Sequence, residues 1–229
     1  GGLGNGDFGL IFGNPGGGKS WSLVALGGYA VRTGKTVLHY TLELGEDYVG
    51  RRYDAFFCNI DVSKIGFYKD KVEETIPQLP GKLIIKEYPT GRATVSTIED
   101  LLSGRRKSRE RKDEIDDIYT STKGLAKQLD IPIWSVSQVN RAGAQDDIIE
   151  GDKAAGSYDK MMISDFAMSL SRKKEDKQRG TGRLHIMKNR YGMDGQSFSL
   201  LANTSTGHFE VFPYNTDLDD VETTSLKPS

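Results

Sequence analysis

The chain has 229 residues, of which 36% are hydrophobic and 28% are charged, and its formal net charge is −1. This length is sufficient for one complete α/β domain with a substantial core. The near-zero charge excludes a polycation that binds nucleic acid through its overall charge, so such a site needs local clusters of basic residues. No apolar run reaches about 18 residues, which excludes a membrane-spanning helix. The single cysteine, Cys58, excludes an intramolecular disulfide, and we expect a core position in a cytoplasmic protein.

Apolar runs alternate with amphipathic stretches along the chain, which is typical of a mostly parallel sheet flanked by helices. Strands are predicted at residues 7–13, 36–42, 82–87, 131–137, 165–171 and 182–188. Helices are predicted at residues 19–32, 46–57, 94–102 and 110–129. Two more strands, at 196–202 and 208–212, are separated by a short turn and predict a C-terminal antiparallel hairpin. The fold class is therefore predicted as α/β.

Two further stretches are predicted from composition. The mixed-charge residues 171–182 contain a glycine turn and predict a surface hairpin. Residues 213–229 are polar and without a period, which predicts a flexible tail. The sequence does not begin with methionine and reaches its first strand at once, so we expect a preceding part of the protein.

The stretch GNPGGGKS at residues 13–20 follows the first apolar run directly and precedes a helical stretch. It satisfies the phosphate-loop (Walker A) pattern G-x-x-x-x-G-K-[ST] in the required strand–helix context. Glycines let successive backbone N–H groups surround phosphate oxygens, and the following helix adds the positive end of its dipole. Lys19 is expected to reach the β- and γ-phosphates of ATP, and Ser20 to hold Mg²⁺. The predicted nucleotide-binding residues are Gly13, Asn14, Pro15, Gly16, Gly17, Gly18, Lys19 and Ser20.

Polar residues end three other predicted strands. Glu43 lies in HYTLELGEDYVGRR, at the carboxyl end of the second predicted strand. Open α/β sheets bind ligands at the carboxyl ends of their strands, so Glu43 should face the γ-phosphate region. A carboxylate there can orient and polarise an attacking water. Gln138 lies in SVSQVNR, and Lys188 and Arg190 lie in HIMKNRYG.

These stretches, in this order after a phosphate loop, resemble the RecA-like motor domain of DnaB-family hexameric replicative helicases. The stretch IKEYPTG at residues 85–91 is similar to the phage-encoded branch of that family. The resemblance covers residues 1–212. It implies a RecA-like P-loop NTPase fold for this range, in a helicase that would act in the host cytoplasm if it is phage-encoded.

The resemblance also implies roles for four residues. Glu43 matches the catalytic glutamate of the family, and Gln138 matches the residue that senses the γ-phosphate and links hydrolysis to DNA contact. Lys188 and Arg190 match a pair that is inserted into the nucleotide site of the neighbouring subunit, where Arg190 would be an arginine finger. The implied partners are single-stranded DNA, further copies of the chain in a hexameric ring, and a primase or helicase loader, with no membrane partner.

One element of the family pattern is absent. Family members carry an apolar Walker B strand that ends in aspartate, and by alignment it should lie between Gly104 and Arg105. We expect residues of the natural protein to be missing from the sequence at this junction, because a doubly wound sheet without a central strand would leave neighbouring edges unpaired. No Walker B aspartate can therefore be named, and Ser20 is the only predicted metal ligand.

Two stretches are candidates for DNA contact. The basic run at residues 105–112 contains Arg105, Arg106, Lys107 and Arg109 and lies, in the family pattern, beside the first loop that faces the central channel. These side chains would follow the phosphate backbone in a salt-dependent way, although a solvated helix start is an alternative interpretation. Lys153, in the second predicted loop, is a further candidate for phosphate contact.

Two other functions remain open at this point. The same fold and the KNRYG stretch are compatible with a DNA recombination ATPase, in which the nucleotide switches a filament instead of powering translocation. A nucleotide-binding regulatory or assembly protein with slow turnover is the second alternative. The combination of Glu43, Gln138 and Arg190 favours the helicase motor, since a protein that only binds nucleotide has no use for an arginine finger.

Overall fold

The computed structural model describes residues 3–88, 115–139, 148 and 158–215. The strands in this part of the chain are β1 Phe8–Gly13, β2 Thr36–Thr41, β3 Lys82–Glu87, β4 Ile133–Gln138, β5 Phe166–Ser171, β6 Thr181–Asn189, β7 Ser197–Asn203 and β8 His208–Pro213. The α-helices are α1 Lys19–Arg32, α2 Glu46–Cys58, α3 Lys69–Thr75, α4 Ile115–Leu129, α5 Tyr158–Ile163 and α6 Lys174–Arg179. Two short 3₁₀ helices lie at Ile65–Phe67 and Ile76–Gln78. None of the helices in these ranges combines the length and apolar character that crossing a membrane requires.

The strands form a six-stranded sheet in the order β4-β1-β5-β6-β7-β8 and a separate parallel pair, β2 and β3. β1 is parallel to both of its neighbours, whereas β6 is antiparallel to β5. β7 and β8 are neighbours joined by a turn at residues 204–207, so they form the predicted C-terminal hairpin. The predicted α/β class is confirmed. β4 is the outermost strand on one side of the described sheet. The predicted absence of a Walker B strand between residues 104 and 105 stays a prediction, because both residues lie outside the described ranges.

The chain divides into two compact units, of which the first comprises residues 1–17, 91–173 and 183–198. All six residues of β1 are buried, because it lies between β4 and β5 and both of its faces are covered. Its apolar side chains start the core of this unit, and a large aromatic from α4 packs against them. The buried members of that core are Phe8, Leu10, Phe12, Val139, Met161 and Ala167, with Tyr119 packed against them.

The second unit comprises residues 18–90, 174–182 and 199–229. Its core lies where α1 and α2 pack together and against the β2–β3 pair. Gly28 of α1 allows this approach, because a Cβ at that position would collide with the ring of Phe56 on α2. The buried members of this core are Val24, Ala25, Val31, Val49, Tyr53, Phe56 and Phe57.

Most predicted elements match the observed ones, with three differences. β5 and β6 form an antiparallel pair, but the segment between them contains α6, which the prediction of a plain surface hairpin missed. α3 and α5 were also not predicted, because six or seven residues are too few to establish a helical period. Cys58 is buried as expected. The predicted helix at 94–102 and the tail beyond residue 215 lie outside the described ranges.

Candidate functional site

The glycine-rich loop has the backbone geometry that a phosphate site needs. It leaves β1 at Gly13 and contains two glycines in the left-handed region, Gly16 at φ 67° and Gly18 at φ 98°. The N–H of Gly17 donates to the carbonyl of Asn14 at 3.0 Å, which closes a tight turn. A Cβ on Gly17 would lie 3.0 Å from that same carbonyl oxygen, so a side chain there would fill the concavity of the loop. The residues present therefore fit a bound phosphate chain.

Lys19 and Ser20 begin α1 at the end of this loop. The first turn of α1 carries no acidic side chain, so nothing there opposes a bound anion. Burial lowers the pKa of Lys19, and the carboxylate of Glu43 acts in the opposite direction. The described residues hold no cluster of three metal-ligating His, Cys, Asp or Glu side chains. A hydroxyl such as that of Ser20 fits Mg²⁺, which is commonly held by one or two protein oxygens together with substrate phosphates.

Glu43 lies in an exposed turn directly after β2. The turn is held by Thr41, which is buried. Its Oγ1 donates to the carbonyl of Leu44 at 2.8 Å and accepts the N–H of Leu44 at 3.1 Å, so the two bonds close a loop around Glu43. Sequence reasoning missed Thr41; its place two residues before the candidate acid, at a strand end, was the available signal.

Gln138 ends β4 next to the phosphate loop. In the parallel register of β1 and β4 it stands directly opposite Gly13, the first residue of the loop. The N–H of Val139 donates to the carbonyl of Gly13 at 3.4 Å, which continues the ladder to this point. The Gln138 side chain is exposed. We call the end of the sheet at which β1 and β4 finish, marked by Gly13 and Gln138, the phosphate-loop edge. The other end of the same strands is the basic-turn edge. Both names refer to strand ends and not to outermost strands.

Lys188 and Arg190 lie at the opposite edge. They belong to the basic turn, residues 188–192, which ends β6. Because β6 runs antiparallel to β5, Asn189 is opposite Phe166, and Phe166 is opposite Gly9 near the start of β1. At a rise of about 3.3 Å per residue, the length of β1 separates the two edges by roughly 17 Å. The basic turn therefore does not reach the phosphate loop of its own chain.

Both candidate cations of the basic turn are held by groups of the same unit. The Nζ of Lys188 donates to the carbonyls of Met161 at 3.1 Å and Met162 at 2.7 Å. Burial, together with the charge of Arg190, lowers the pKa of this lysine. Arg190 is paired with Asp165 at 2.9 Å. Asp165 was not predicted from the sequence as a functional residue, and no local motif marks it.

The candidate DNA-binding residues cannot be placed. Arg105, Arg106, Lys107, Arg109 and Lys153 all lie outside the described residues. The described chain resumes at α4, three residues after the end of the basic run, and at α5, after the second predicted loop. Their contact with DNA stays a prediction.

Comparison with known proteins gives a curated relative and solved structures with the same fold. No protein-family model matches the chain. A DnaB-like replicative helicase of Enterobacteria phage T4 is 24% identical over 224 residues, which cover 83% of this chain and 47% of that protein. The chain thus spans about half the length of this curated relative.

Solved structures share the fold. An ATPase domain superposes with a TM-score of 0.73 at 19% identity, covering 90% of this chain and 85% of its own. A DnaB-like replicative helicase, described with its interactions with primase, gives the same TM-score and identity and covers 90% of this chain and 57% of its own. At such low identity these structures show the fold alone. Together with the sequence match, they confirm that this chain resembles the RecA-like motor domain of DnaB-family replicative helicases.

Proposed function

We propose that the chain is the ATP-hydrolysing motor of a replicative DNA helicase, which works at the subunit interfaces of a hexameric ring on single-stranded DNA. One observation carries this proposal beyond the sequence match. The phosphate loop and the basic turn with Arg190 lie at opposite edges of one sheet, so one chain cannot combine them in a single site. Two neighbouring copies can.

The phosphate loop would bind ATP through its backbone N–H groups and Lys19. Mg²⁺ bound through Ser20 would neutralise charge on the β- and γ-phosphates. Glu43 would orient the attacking water and accept its proton, and the turn closed by Thr41 would hold the carboxylate in place. The attraction between Glu43 and Lys19 supports placing the two residues in one site.

Gln138 would contact the γ-phosphate, because it extends from the strand next to the phosphate loop. Arg190 of the neighbouring subunit would stabilise the charge on the transferring phosphoryl group, and Lys188 would support it. An isolated subunit would then hydrolyse ATP poorly. The substrate phosphate and the finger would meet only in the assembled ring.

Partners are proposed on the same basis. Arg105, Arg106, Lys107 and Arg109, with Lys153, would follow the phosphate backbone of single-stranded DNA, so the affinity should fall steeply with salt. A primase or a helicase loader is a further proposed partner, since one structural neighbour is described with its interactions with primase.

The experiment that tests the proposal is ATP-driven unwinding of a forked DNA duplex by the intact gene product, beside Glu43→Gln and Arg190→Ala. The wild type should separate the strands, and both variants should lose unwinding together with hydrolysis. Lys177→Ala is the matched control, because Lys177 is an exposed cation that also contributes to the pKa of Lys19 and has no proposed role.

The other outcomes separate the alternative functions. Hydrolysis that DNA stimulates without strand separation would favour a recombination ATPase. Nucleotide binding without appreciable turnover in the assembled protein would favour a regulatory protein. Either result would contradict the helicase assignment while leaving the phosphate site in place.

A further inference from the structure

The basic turn is attached to the sheet at a defined point. Arg190 makes two contacts with Asp165: its NH1 pairs with the carboxylate Oδ1 at 2.9 Å, and its backbone N–H donates to the Asp165 carbonyl at 3.0 Å. The next residue is also held, because the hydroxyl of Tyr191 donates to Asp7 at 2.7 Å. The finger candidate is thus fixed through both its main chain and its side chain.

Asp165 is itself held firmly. It lies just before β5, and only 2% of its side chain is exposed. Its N–H donates to the carbonyl of Phe8 at 2.8 Å, and its Oδ2 accepts the N–H of Phe8 at 3.0 Å. Burial alone would raise the pKa of this carboxyl, but the Phe8 N–H, Lys123 and Arg190 together hold it below its ordinary value. The side chain is therefore an anion whose position is set by its two hydrogen-bonded contacts with Phe8 of β1.

A second cation shares the same carboxylate oxygen. The Nζ of Lys123, on α4, lies 3.0 Å from Oδ1 of Asp165 and also donates to the carbonyl of Ile163 at 2.8 Å. Lys123 is largely buried, with 16% of its side chain exposed, whereas 46% of the Arg190 side chain is exposed. Of the two cations that pair with Asp165, Arg190 is therefore the more exposed, and it can also contact a group from another chain.

The contact between Arg190 and Asp165 is one-sided. It uses one terminal nitrogen, and a guanidinium has five N–H donors in a rigid planar fork. The remaining donors can reach a second anion while the first contact is kept. A flexible arginine must lose rotamer freedom when it meets a phosphate, and an arginine already held on one side loses less.

We infer that Asp165 is the positioning residue for Arg190: it holds the guanidinium at the edge of the sheet in the orientation in which it meets the γ-phosphate on a neighbouring copy. This inference rests on the proposed function, since it assumes that Arg190 acts in trans. In this role Asp165 would not itself contact nucleotide or metal, and its effect on hydrolysis would pass entirely through Arg190.

The test measures kcat and KM for ATP with the assembled full-length protein on single-stranded DNA. Asp165→Asn should lower kcat by about tenfold and change KM by less than about twofold, because an arginine that acts only in the transition state affects kcat. Arg190→Ala should lower kcat further. In the Arg190→Ala background, Asp165→Asn should cause no additional loss, since residues that act through one contact are not additive.

Lys123→Met is the matched control. It removes the other ion pair of the same carboxylate and should lower the melting temperature to a similar extent, but it leaves the contact with Arg190 in place. Its kcat should stay within about threefold of the wild type, a difference smaller than about 1 kcal/mol. If Asp165→Asn does not fold, Asp165→Glu replaces it: the charge is kept while the guanidinium is displaced, and kcat should fall only where Arg190 is present.

The outcomes separate the two levels of the proposal. If Arg190→Ala reduces hydrolysis but Asp165→Asn does not, the positioning role is overturned and the finger remains. An equal loss in Lys123→Met, or an additive loss in the double variant, would show that Asp165 only stabilises the fold. A rise in kcat in Asp165→Asn would show that the carboxylate restrains the finger, which also overturns the inference. If Arg190→Ala hydrolyses ATP like the wild type, both the finger and the positioning role are wrong.

Discussion

The geometry of the candidate functional groups is fixed in different ways at the two edges of the sheet. At the phosphate-loop edge the backbone defines the geometry: glycines in the left-handed region and a turn between Gly17 and Asn14 shape the concavity. At the opposite edge, side chains define it: the buried Asp165 and Asp7 hold Arg190 and Tyr191. A site that must surround a ligand needs many backbone donors, whereas a group that must reach another subunit needs one extended side chain with a fixed base.

The largest effect is expected when each edge is disabled in a different subunit. Lys19→Ala and Arg190→Ala should each lose at least about 10³-fold in hydrolysis, since an arginine finger contributes roughly 10³–10⁵ in kcat. In an equal mixture that exchanges subunits, about one interface in four in a head-to-tail ring would combine an intact loop with an intact finger. Hydrolysis should therefore recover in the mixture, as measured by phosphate release. The double variant alone is the control, and no recovery despite subunit exchange would contradict action in trans.

The dependence on backbone geometry can be tested with two glycines that share a conformation. Gly18 in the phosphate loop and Gly34 after α1 have φ values of 98° and 83°. Alanine at either position should cost about 1–2 kcal/mol in the free energy of unfolding, because the left-handed region is unfavourable for residues with a Cβ. Only Gly18→Ala should also weaken binding of a fluorescent nucleotide, by about tenfold, which corresponds to about 1.4 kcal/mol. Equal nucleotide affinity in the two variants would contradict a backbone-defined site.

Thr41→Val tests whether a side chain is also needed to hold the candidate catalytic acid. Valine keeps the shape but removes both bonds to Leu44, so the turn that carries Glu43 should loosen. We expect kcat to fall by about tenfold, because small displacements of a reacting group have large effects on rate. Thr33→Val is the control: it removes an exposed hydroxyl bond to Ala30 at 2.9 Å, and its kcat should not change. Single-turnover hydrolysis measures both.

The smallest expected effect is a pH dependence of stability that belongs to the basic-turn edge. The pKa of Asp165 in the folded chain is below its ordinary value, so its ionised form stabilises the fold. That contribution is complete above the unfolded value of about 3.9 and is lost as the pH falls through the folded value. Asp165→Asn lacks it, so the difference in melting temperature between wild type and variant should narrow below about pH 4.

His39 titrates at a slightly higher pH than Asp165, and it does so in both the wild type and Asp165→Asn. Burial, with the charge of Arg52, lowers the pKa of His39 to about 4, so folding stability also decreases as the pH falls from about 6.5 toward that value. The comparison therefore uses the difference between the two melting curves. A constant difference across the acid range would contradict an ionised Asp165.

The phosphate-loop edge was predictable because its signal is local. The pattern at residues 13–20 determined the candidate site, and α1 and β3 were predicted with the bounds that the structure has, Lys19–Arg32 and Lys82–Glu87. A buried strand, a glycine turn and an amphipathic helix each leave their own mark within a few residues. The resemblance to DnaB-family motors followed from the order of such local marks and is confirmed.

The opposite edge was not predictable in the same way. Asp165 contacts Phe8 at a sequence separation of 157 residues, and Asp7 contacts Tyr191 at a separation of 184. In the sequence both are single aspartates before apolar strands. Their role depends on which strand ends meet, which is fixed by sheet order and by the reversed direction of β6. The catalytic assignments stay predictions that the experiments above can test, and the DNA-binding assignments stay predictions.

The reversed direction of β6 has a consequence for how copies would associate. If copies associate head to tail, the basic turn of each copy meets the phosphate loop of the next, and each interface joins two different surfaces. Repeated association would be polar, with every copy facing the same way, and a closed ring of such copies has two distinguishable faces. The direction in which such a ring moves along a nucleic-acid strand would then depend on the orientation of β6.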